Sequence, residues 1–434
     1  MTIPSGWRSM SLSEVLDRLP SGTQVQQGWS PQCDRQAAEA HEWGVLKTTA
    51  IQPGLFLSEH NKRLPSNLQP RPSLEVRPGD LLLTNAGPRA RCAIPCLVRA
   101  TRPHLMLSGK VYRFRTRSQI LDSRFLEWYL LSPAAQGDLD AMKTGISDSG
   151  LNLTRGKFLA LAVPVPPVEE QRRIVEALED HLSRLDEAAA AVRDAIRRAA
   201  AWRQAAIEMV VWGRQRDIAL VPVADLLREK MRNGHSARAS KNGDGIRALT
   251  LTAVTKGCFV ERFTKMVEVD PRKVATLWLE PDDILVQRSN TPELVGTTAH
   301  YQGPREWAIF PDLLIRLRAD ESRVTPAYLA ACMRTERAHR RLREQAQGLA
   351  GSMPKIDQAA IGSLRIPLPT LAQQRKATES VDQIEIVFAR LTAELERSNA
   401  RARSMRAALL EAAFSGRLDA HKSDDGRVEE FTGG

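Results

Sequence analysis

No stretch of the sequence approaches the about 18 consecutive apolar residues that a membrane-spanning helix requires. The opening MTIPSGWRSM also lacks the apolar core of a signal peptide. A cytoplasmic protein with no membrane partner is therefore expected. Cysteine is scarce: Cys33, Cys92, Cys96, Cys258 and Cys332 are odd in number and scattered, which reads as reduced thiols and not as a disulfide framework. Cys92 and Cys96 are spaced C-x-x-x-C with no second Cys/His pair nearby, so no zinc site is expected.

Recognisable chemistry is missing too. There is no G-x-x-x-x-G-K-[ST] loop for nucleotide phosphates and no Gly-rich strand-turn-helix for a dinucleotide or methyl-donor cofactor. The Asn/Asp-Pro-Pro-aromatic tetrapeptide of amino-methyltransferases is absent; the one Pro-Pro pair, Pro166-Pro167, stands at a helix start. The eight histidines form neither an H-E-x-x-H nor a compact triad, and the acidic residues lack a nuclease-like arrangement with a following Lys. These absences point to binding: no catalytic residue, metal ligand or cofactor of its own is assigned to the chain.

What is present is a repetition at an offset of 203 residues. Val163 to Arg173, VPVPPVEEQRR, falls on Ile366 to Lys376, IPLPTLAQQRK. Each run opens 45 residues free of Gly and Pro, Val168 to Trp212 and Leu371 to Ser415, and each stretch stops at a Gly-Arg pair. Upstream, Trp43 to Phe56 falls on Ile246 to Phe259, Pro78 to Leu82 on Pro281 to Leu285, and Val111 to Leu126 on Leu314 to Leu329. Two similar halves suggest a partner with two similar halves.

Charge follows the same plan. Of the net +11, residues 1–168 carry +7 and residues 217–371 carry +5, while residues 169–216 are neutral and 372–434 carry −1. Two basic blocks separated by balanced spacers suggest a polyanion held at two places.

The expected order is a mixed α/β module, a long helix, a second module, a second long helix and a polar tail. Short helices or turns are expected at Ser11 to Leu16 and Pro222 to Leu227. Strands are expected at Trp43 to Ile51 and Ile246 to Val254, each followed by a Gly turn, and at Leu81 to Thr84 and Ile284 to Gln287. Lys110 to Arg115 and Leu313 to Arg318 alternate apolar and basic residues, as half-buried strands do, and helices are expected around Ser123 to Leu131 and Pro326 to Arg334. In the first long helix His181, Leu185, Ala188, Val192, Ala195, Ala199, Trp202, Ala206 and Met209 alternate in steps of four and three. Ile384, Phe388, Leu391, Leu395, Ser398, Ala402, Met405, Leu409 and Ala412 do the same in the second. This is a coiled-coil seam, and Leu185, Val192, Trp202, Met209, Phe388, Leu395, Met405 and Leu409 are the expected helix-interface residues. Each helix would span about 68 Å. Thr370 and Gln373 form a T-x-x-Q capping box; Glu169 and Glu170 place negative charge on the first turn of the other helix, and Pro167 stands where Thr370 does.

The Pro-x-Pro-x-x-x-x-Gln-Arg starts (Pro164, Pro166, Gln171, Arg172; Pro367, Pro369, Gln374, Arg375), the long helices with their Gly stops, and PGDLLLTNAG at Pro78 to Gly87, partly mirrored by PDDILVQRSN, together resemble the conserved regions of type I restriction-modification specificity subunits. The resemblance spans essentially the whole chain. Two departures stand in the second copy, which has Gln373-Gln374 for Glu-Gln and Asp282 for Gly.

The resemblance implies a fold of α/β (α+β) recognition domains plus two long helices in an antiparallel coiled coil, an internal duplication with pseudo-two-fold symmetry. Target recognition domains would occupy 1–162 and 215–365, conserved helices 163–214 and 366–417, and a flexible tail 418–434. It also implies a subunit without catalysis of its own, one that recognises a bipartite sequence in double-stranded DNA. Its partners would be two methyltransferase subunits using S-adenosylmethionine for adenine methylation and two restriction or motor subunits using ATP and Mg2+ for translocation and cleavage. Antiparallel helices would turn a direct repeat into an approximate dyad and act as a ruler between half-sites.

Affinity is then expected from Lys and Arg at phosphates, and specificity from a few side chains at base edges. The candidates are Lys62, Arg63, Asn85, Arg89 and Arg91 in the first module, and Arg238, Lys241, Gln287, Arg288 and Asn290 in the second, all expected in polar, basic loops. The Arg-rich helix faces, Arg193, Arg197 and Arg198 with Arg397, Arg401 and Arg403, read as solvated surface or as docking sites for the methyltransferases. Two other classes stay open: a coiled-coil assembly protein whose modules bind proteins, and a self-contained DNA-modifying enzyme.

Overall fold

The computed structural model describes residues 4–145, 147–213, 218–255, 257–347 and 353–418. The chain divides into two compact units, Met1–Ala191 with Ser398–Gly434, and Val192–Arg397. Each unit therefore combines one module with a segment of both long helices, a grouping that differs from the separation of helices from modules drawn on the sequence. The expected tail lies outside the described residues from 419 onward, as does Arg214.

In the first unit a four-stranded antiparallel sheet runs Gln26–Gln27, Val111–Phe114, Leu81–Thr84, Pro95–Leu97. A three-stranded sheet, Leu105–Met106, Gly44–Leu46, Asn61–Arg63, stands beside it. The strand Arg8–Ser11 pairs antiparallel with Ala162–Val165, tying the start of the module to the start of the long helix. Strand periodicity explains the packing. Leu81 and Leu83 enter one core with Tyr112, Phe114 and the helix Ser123–Leu131, whereas Leu82 enters another with Val111, Ile51 and Val98. The sheet is thus covered on both faces. Val111–Phe114 is accordingly buried throughout and not half-buried as expected. Its basic residue Arg113 is held inside by the carbonyls of Glu75 (2.5 Å) and Ser73 (2.8 Å) and by Asp80 (3.5 Å).

The second unit repeats the arrangement. Its four-stranded sheet runs Arg232–Asn233, Leu314–Leu317, Ile284–Gln287, Thr298–His300. Ile284 and Val286 enter the core of the helix Pro326–Met333, and Leu285 enters the other. Leu314–Leu317 is likewise buried throughout. The expected strands from Trp43 and Ile246 are shorter, Gly44–Leu46 and Ile246–Leu249, each followed by a 3-10 turn before its glycine, Gly54 or Gly257, at φ +71°. Asp282, which replaces the glycine of the first copy, adopts φ +72° where Gly79 has +89°, and its carboxylate bonds His300 (2.7 Å).

The long helices are Val168–Glu208, extended by a π-helical turn at Met209–Gly213, and Leu371–Phe414. The Thr370–Gln373 box forms in both directions, with Gln373 Oε1 accepting from the Thr370 amide (3.0 Å) and Thr370 Oγ1 from the Gln373 amide (3.4 Å). Gly416 at φ +70°, with the Arg417 amide donating to Ala412 O (2.9 Å), closes the second helix in a Schellman turn. Gly213 makes no left-handed cap; it lies in the π turn with which the described part of the first helix finishes.

In each unit the two helical segments run antiparallel. In the first unit Asp186 pairs with Arg406 (2.7 Å), and toward the other end of the pair Leu178 and Leu182 share a core with Leu410, Ala413 and Phe414. In the second unit Arg203 forms a forked pair with Glu385 (2.6 and 2.5 Å), and Ile207 and Val211 share a core with Val381. The seam differs from the expected one. The covered stripe of the first helix runs Leu182, Leu185, Ala189, Val192, Ile196, Ala199, Arg203, Ile207, keeping Leu185, Val192 and Ala199 and adding the residue after each of the other expected positions, of which Ala195 and Ala206 are partly covered as well. Trp202, Met209 and, in the second helix, Met405 are consequently exposed at 47%, 67% and 49%. The physical reason is that both stripes satisfy a four-three spacing and flank the same row of residues. The Arg203–Glu385 pair and the Arg203 guanidinium over Phe388 (5.3 Å) select the second stripe. Phe388, Leu395 and Leu409 are partly covered as expected.

Candidate nucleic-acid interface

The central strand of each sheet leaves its module through the same device. After Leu81–Thr84, the pair Ala86–Gly87 is backed by a returning segment, Leu151–Asn152, and Asn152 bridges on to Thr144. After Ile284–Gln287, Ser289 bridges to Lys355, and Lys355 bridges to Gln347. All three positions correspond at the 203-residue offset, so both exits present a short three-segment platform made from chain far apart in sequence.

A second recurring device locks each module to its helix. Gln171 and Gln374 are fully buried. Gln171 donates to the carbonyls of Ile120 (2.9 Å) and Pro166 (2.8 Å) and accepts from the Asp122 amide (2.8 Å). Gln374 donates to Arg323 O (3.0 Å) and Pro369 O (2.9 Å) and accepts from the Thr325 amide (2.8 Å). The glutamine of the helix-start motif therefore holds the N-terminal end of the module's own helix, a role its spacing in sequence did not reveal.

The candidate residues fall into three physical states. Lys62, Arg238, Lys241 and Arg288 carry no ion pair among the described residues; the first three are exposed and Arg288 is half-exposed. Arg63, Arg89 and Arg91 are engaged. Arg63 pairs with Asp34 (2.9 Å) and Glu42 (3.6 Å), and Arg89 with Asp140 (2.5 Å) and Asp148 (3.0 Å). Arg91 donates to Gln52 Oε1 (3.1 Å) and to the carbonyls of Thr48 (2.5 Å) and Ile51 (2.9 Å). Bonds to Asp34 and to Asp148 raise the pKa of Arg63 and Arg89 further.

Asn85 and Gln287 were expected in loops and are instead buried, because the exit platforms cover the ends of the strands. Gln287 is hydrogen-bonded to Thr255 and Asn290, while Asn85 Oδ1 has no partner among the described residues. Asn290 is half-buried, its side chain accepting from the Thr291 amide (2.8 Å).

Two basic features escaped the sequence reading. Lys355 lines, with Arg288, Gln347 and Asp357, an open cleft of about 860 Å3 beside the second exit platform. The helix Glu336–Glu344 presents Arg337, Arg340 and Arg341, whereas its counterpart Pro133–Met142 has Asp138 and Asp140. The run ERAHRRLRE is legible in the sequence as a basic amphipathic helix. Arg193, Arg198, Arg401 and Arg403 are exposed, and Arg197 and Arg397 are exposed in ion pairs with Asp194 and Glu394. Among the described residues no cluster of three or more His, Cys, Asp and Glu side chains could hold a metal, and no helix is long and apolar enough to cross a membrane. Cys92, Cys96 and Cys332 are buried free thiols whose pKa burial pushes up.

No family model matches the chain. The specificity subunit of the type I restriction enzyme EcoEI of Escherichia coli is 32% identical over 186 residues, 43% of this chain and 30% of that protein, so the chain spans less than a third of that relative in this match. The specificity subunit of the type I restriction enzyme StySPI of Salmonella potsdam is 22% identical over 96% of this chain and 90% of its own length. A solved chain described under complex assembly and conformational transition of the type I restriction-modification system has this fold, with a TM-score of 0.71 and 19% identity, over 96% of this chain and all of that one. In sequence along nearly its whole length the chain is similar to the specificity subunits of type I restriction enzymes, and it shares its fold with a chain of such a system.

Proposed function

We propose that the chain is a non-catalytic DNA-specificity subunit that reads a bipartite site, one half with each module, and scaffolds two methyltransferase and two restriction subunits in the cytoplasm. Adenine methylation with S-adenosylmethionine, and ATP- and Mg2+-dependent cleavage, belong in this reading to the partners. The observation that carries it is the recurrence, in two basic modules, of one exit platform and one glutamine lock at a single offset. A framework built twice with different side chains on its exits is what reading two different short words requires.

The modules differ most where reading would occur. Asn85 and Arg89 correspond to Arg288 and Pro292, and Asn152 to Lys355. Arg288 to guanine is a natural bidentate contact, whereas Lys62, Arg238 and Lys241 suit phosphates. The helix pair sets the distance between the two words.

The chain co-expressed with its methyltransferase should mark adenines within an interrupted two-part motif, read by genome-wide methylation mapping. An uninterrupted motif, or methylation by the purified chain alone with a methyl donor, would overturn the reading. Inserting one heptad in both long helices should lengthen the unread spacer and leave the half-site letters unchanged.

A further inference from the structure

The buried charge cluster beneath each central sheet recurs with one imbalance. In the second unit Arg316 and Arg318 meet three carboxylates, one of which, Glu280, also pairs with Arg228 (3.3 Å) and Arg305 (3.5 Å). Glu229 lies 3.0 Å from Arg316 and 3.5 Å from Arg318, Glu280 lies 3.2 Å from Arg318, and Asp283 lies 2.7 Å from Arg318 and 4.0 Å from Arg316. In the first unit the corresponding Arg113 and Arg115 pair with Asp80 alone, at 3.5 and 2.8 Å. The Arg113 nitrogen that corresponds to the one bound by Glu229 donates to the neutral amide oxygen of Gln26. Arg77 stands at the position of Glu280. Two carboxylates are thus exchanged for an amide and a cation, and one carboxylate, Glu75, is gained where the second unit has Trp278.

Space accompanies the missing charge. A cleft of about 440 Å3 opens at this place, lined by Gln26, Glu75, Arg77, Asp80, Arg113 and Arg115 among others. Arg115 bonds Asp80 through Nε, and its two Nη atoms have no hydrogen bond to a described residue. The Arg77 side chain is two-thirds exposed and forms an ion pair with Glu75 at 3.9 Å, while its amide donates to the Asp80 carboxylate (2.8 Å). Arg113 is buried beside the cleft, and its Nε has no hydrogen-bond partner among the described residues, a costly state. The cluster lies at the opposite end of the strand Leu81–Thr84 from the exit platform, so it is separate from the candidate interface.

We infer that this cleft is a binding site for a phosphate-type oxyanion, held by Arg77 and Arg115 in the place that Glu280 and Glu229 fill with carboxylates in the second unit. Arg77, Arg113 and Arg115 face the carboxylates of Asp80 and Glu75 among the described residues, and an oxyanion in the cleft would neutralise the remaining positive charge. The inference goes beyond the proposed function and survives its failure, since the anion could be a free phosphate or a phosphate of bound DNA.

The test follows the unfolding midpoint of the full chain against added inorganic phosphate, with sodium chloride at equal ionic strength as reference. Wild type should gain stability with phosphate. Arg77→Glu, which installs the residue of the second unit, should abolish the gain. Arg77→Gln should weaken apparent phosphate affinity at least five-fold, and Arg155→Glu, the same charge change at an exposed site elsewhere in the unit, should leave it intact. If the anion is DNA's, Arg77→Glu also lowers the slope of log affinity against log salt by about one. An unchanged slope with loss of the phosphate response identifies a free phosphate. No phosphate-specific gain in wild type, or an equal gain in Arg77→Glu, overturns the site.

Discussion

The two exit regions share a backbone and differ in how their cations are spent. In the first unit Arg89 and Arg91 sit just beyond the platform and are consumed by Asp140, Asp148 and three acceptors in the segment 48–52. In the second unit Arg288 and Lys355 line an open cleft and the adjacent helix carries Arg where the first has Asp. A net positive charge on each of two similar modules therefore does not mean equal availability to a polyanion. A guanidinium already bonded to carboxylates must break those bonds before it can hold a phosphate, so its net contribution falls.

The sharpest way to break the comparison is at the shared scaffold. Phe414 is buried in the first unit and packs edge-on against Phe125 (5.2 Å) and Tyr129 (5.4 Å). Phe414→Ala should cost about 4 kcal/mol, read as a lowered denaturation midpoint. Next come the locks: Gln171→Ala and Gln374→Ala should each cost about 2–3 kcal/mol by leaving buried backbone groups unpaired. The two costs should agree closely in chemical denaturation, and a large disparity would show that the locks are not equivalent.

The exits should then separate binding from stability. Arg288→Ala should weaken DNA binding by about 1–3 kcal/mol in a fluorescence titration while leaving the unfolding midpoint in place. Arg91→Ala should do the reverse, losing about 1–2 kcal/mol of stability. Smaller still is the turn before the central strand. Asp282 already tolerates the left-handed conformation, so Gly79→Asp should fold and cost about 1 kcal/mol. Trp202→Ser, on the exposed side of its helix, should change stability by less than about 0.5 kcal/mol.

Much of the framework was legible along the chain. The central strands, both module helices and the two long helices follow from local punctuation and periodicity, and the Thr370–Gln373 box forms as its spacing predicts. The buried face of the long helices was less legible. Stripes through Leu185, Val192 and Ala199 can take either neighbouring row, and the choice rests on Arg203 meeting Glu385, 182 residues away. The state of the candidate contacts was hidden for the same reason: Arg89 finds Asp148 across 59 residues, and Asn85 is covered by a segment returning near Leu153.

By itself the sequence determined the order of elements and where helices begin, because propensity, capping and apolar spacing act over a few residues. Only the tertiary structure decided which cations are free, which glutamines are locks and where a carboxylate is missing. Those outcomes depend on partners brought together from distant chain, and a charge or amide has no fixed role until its neighbours in space are set.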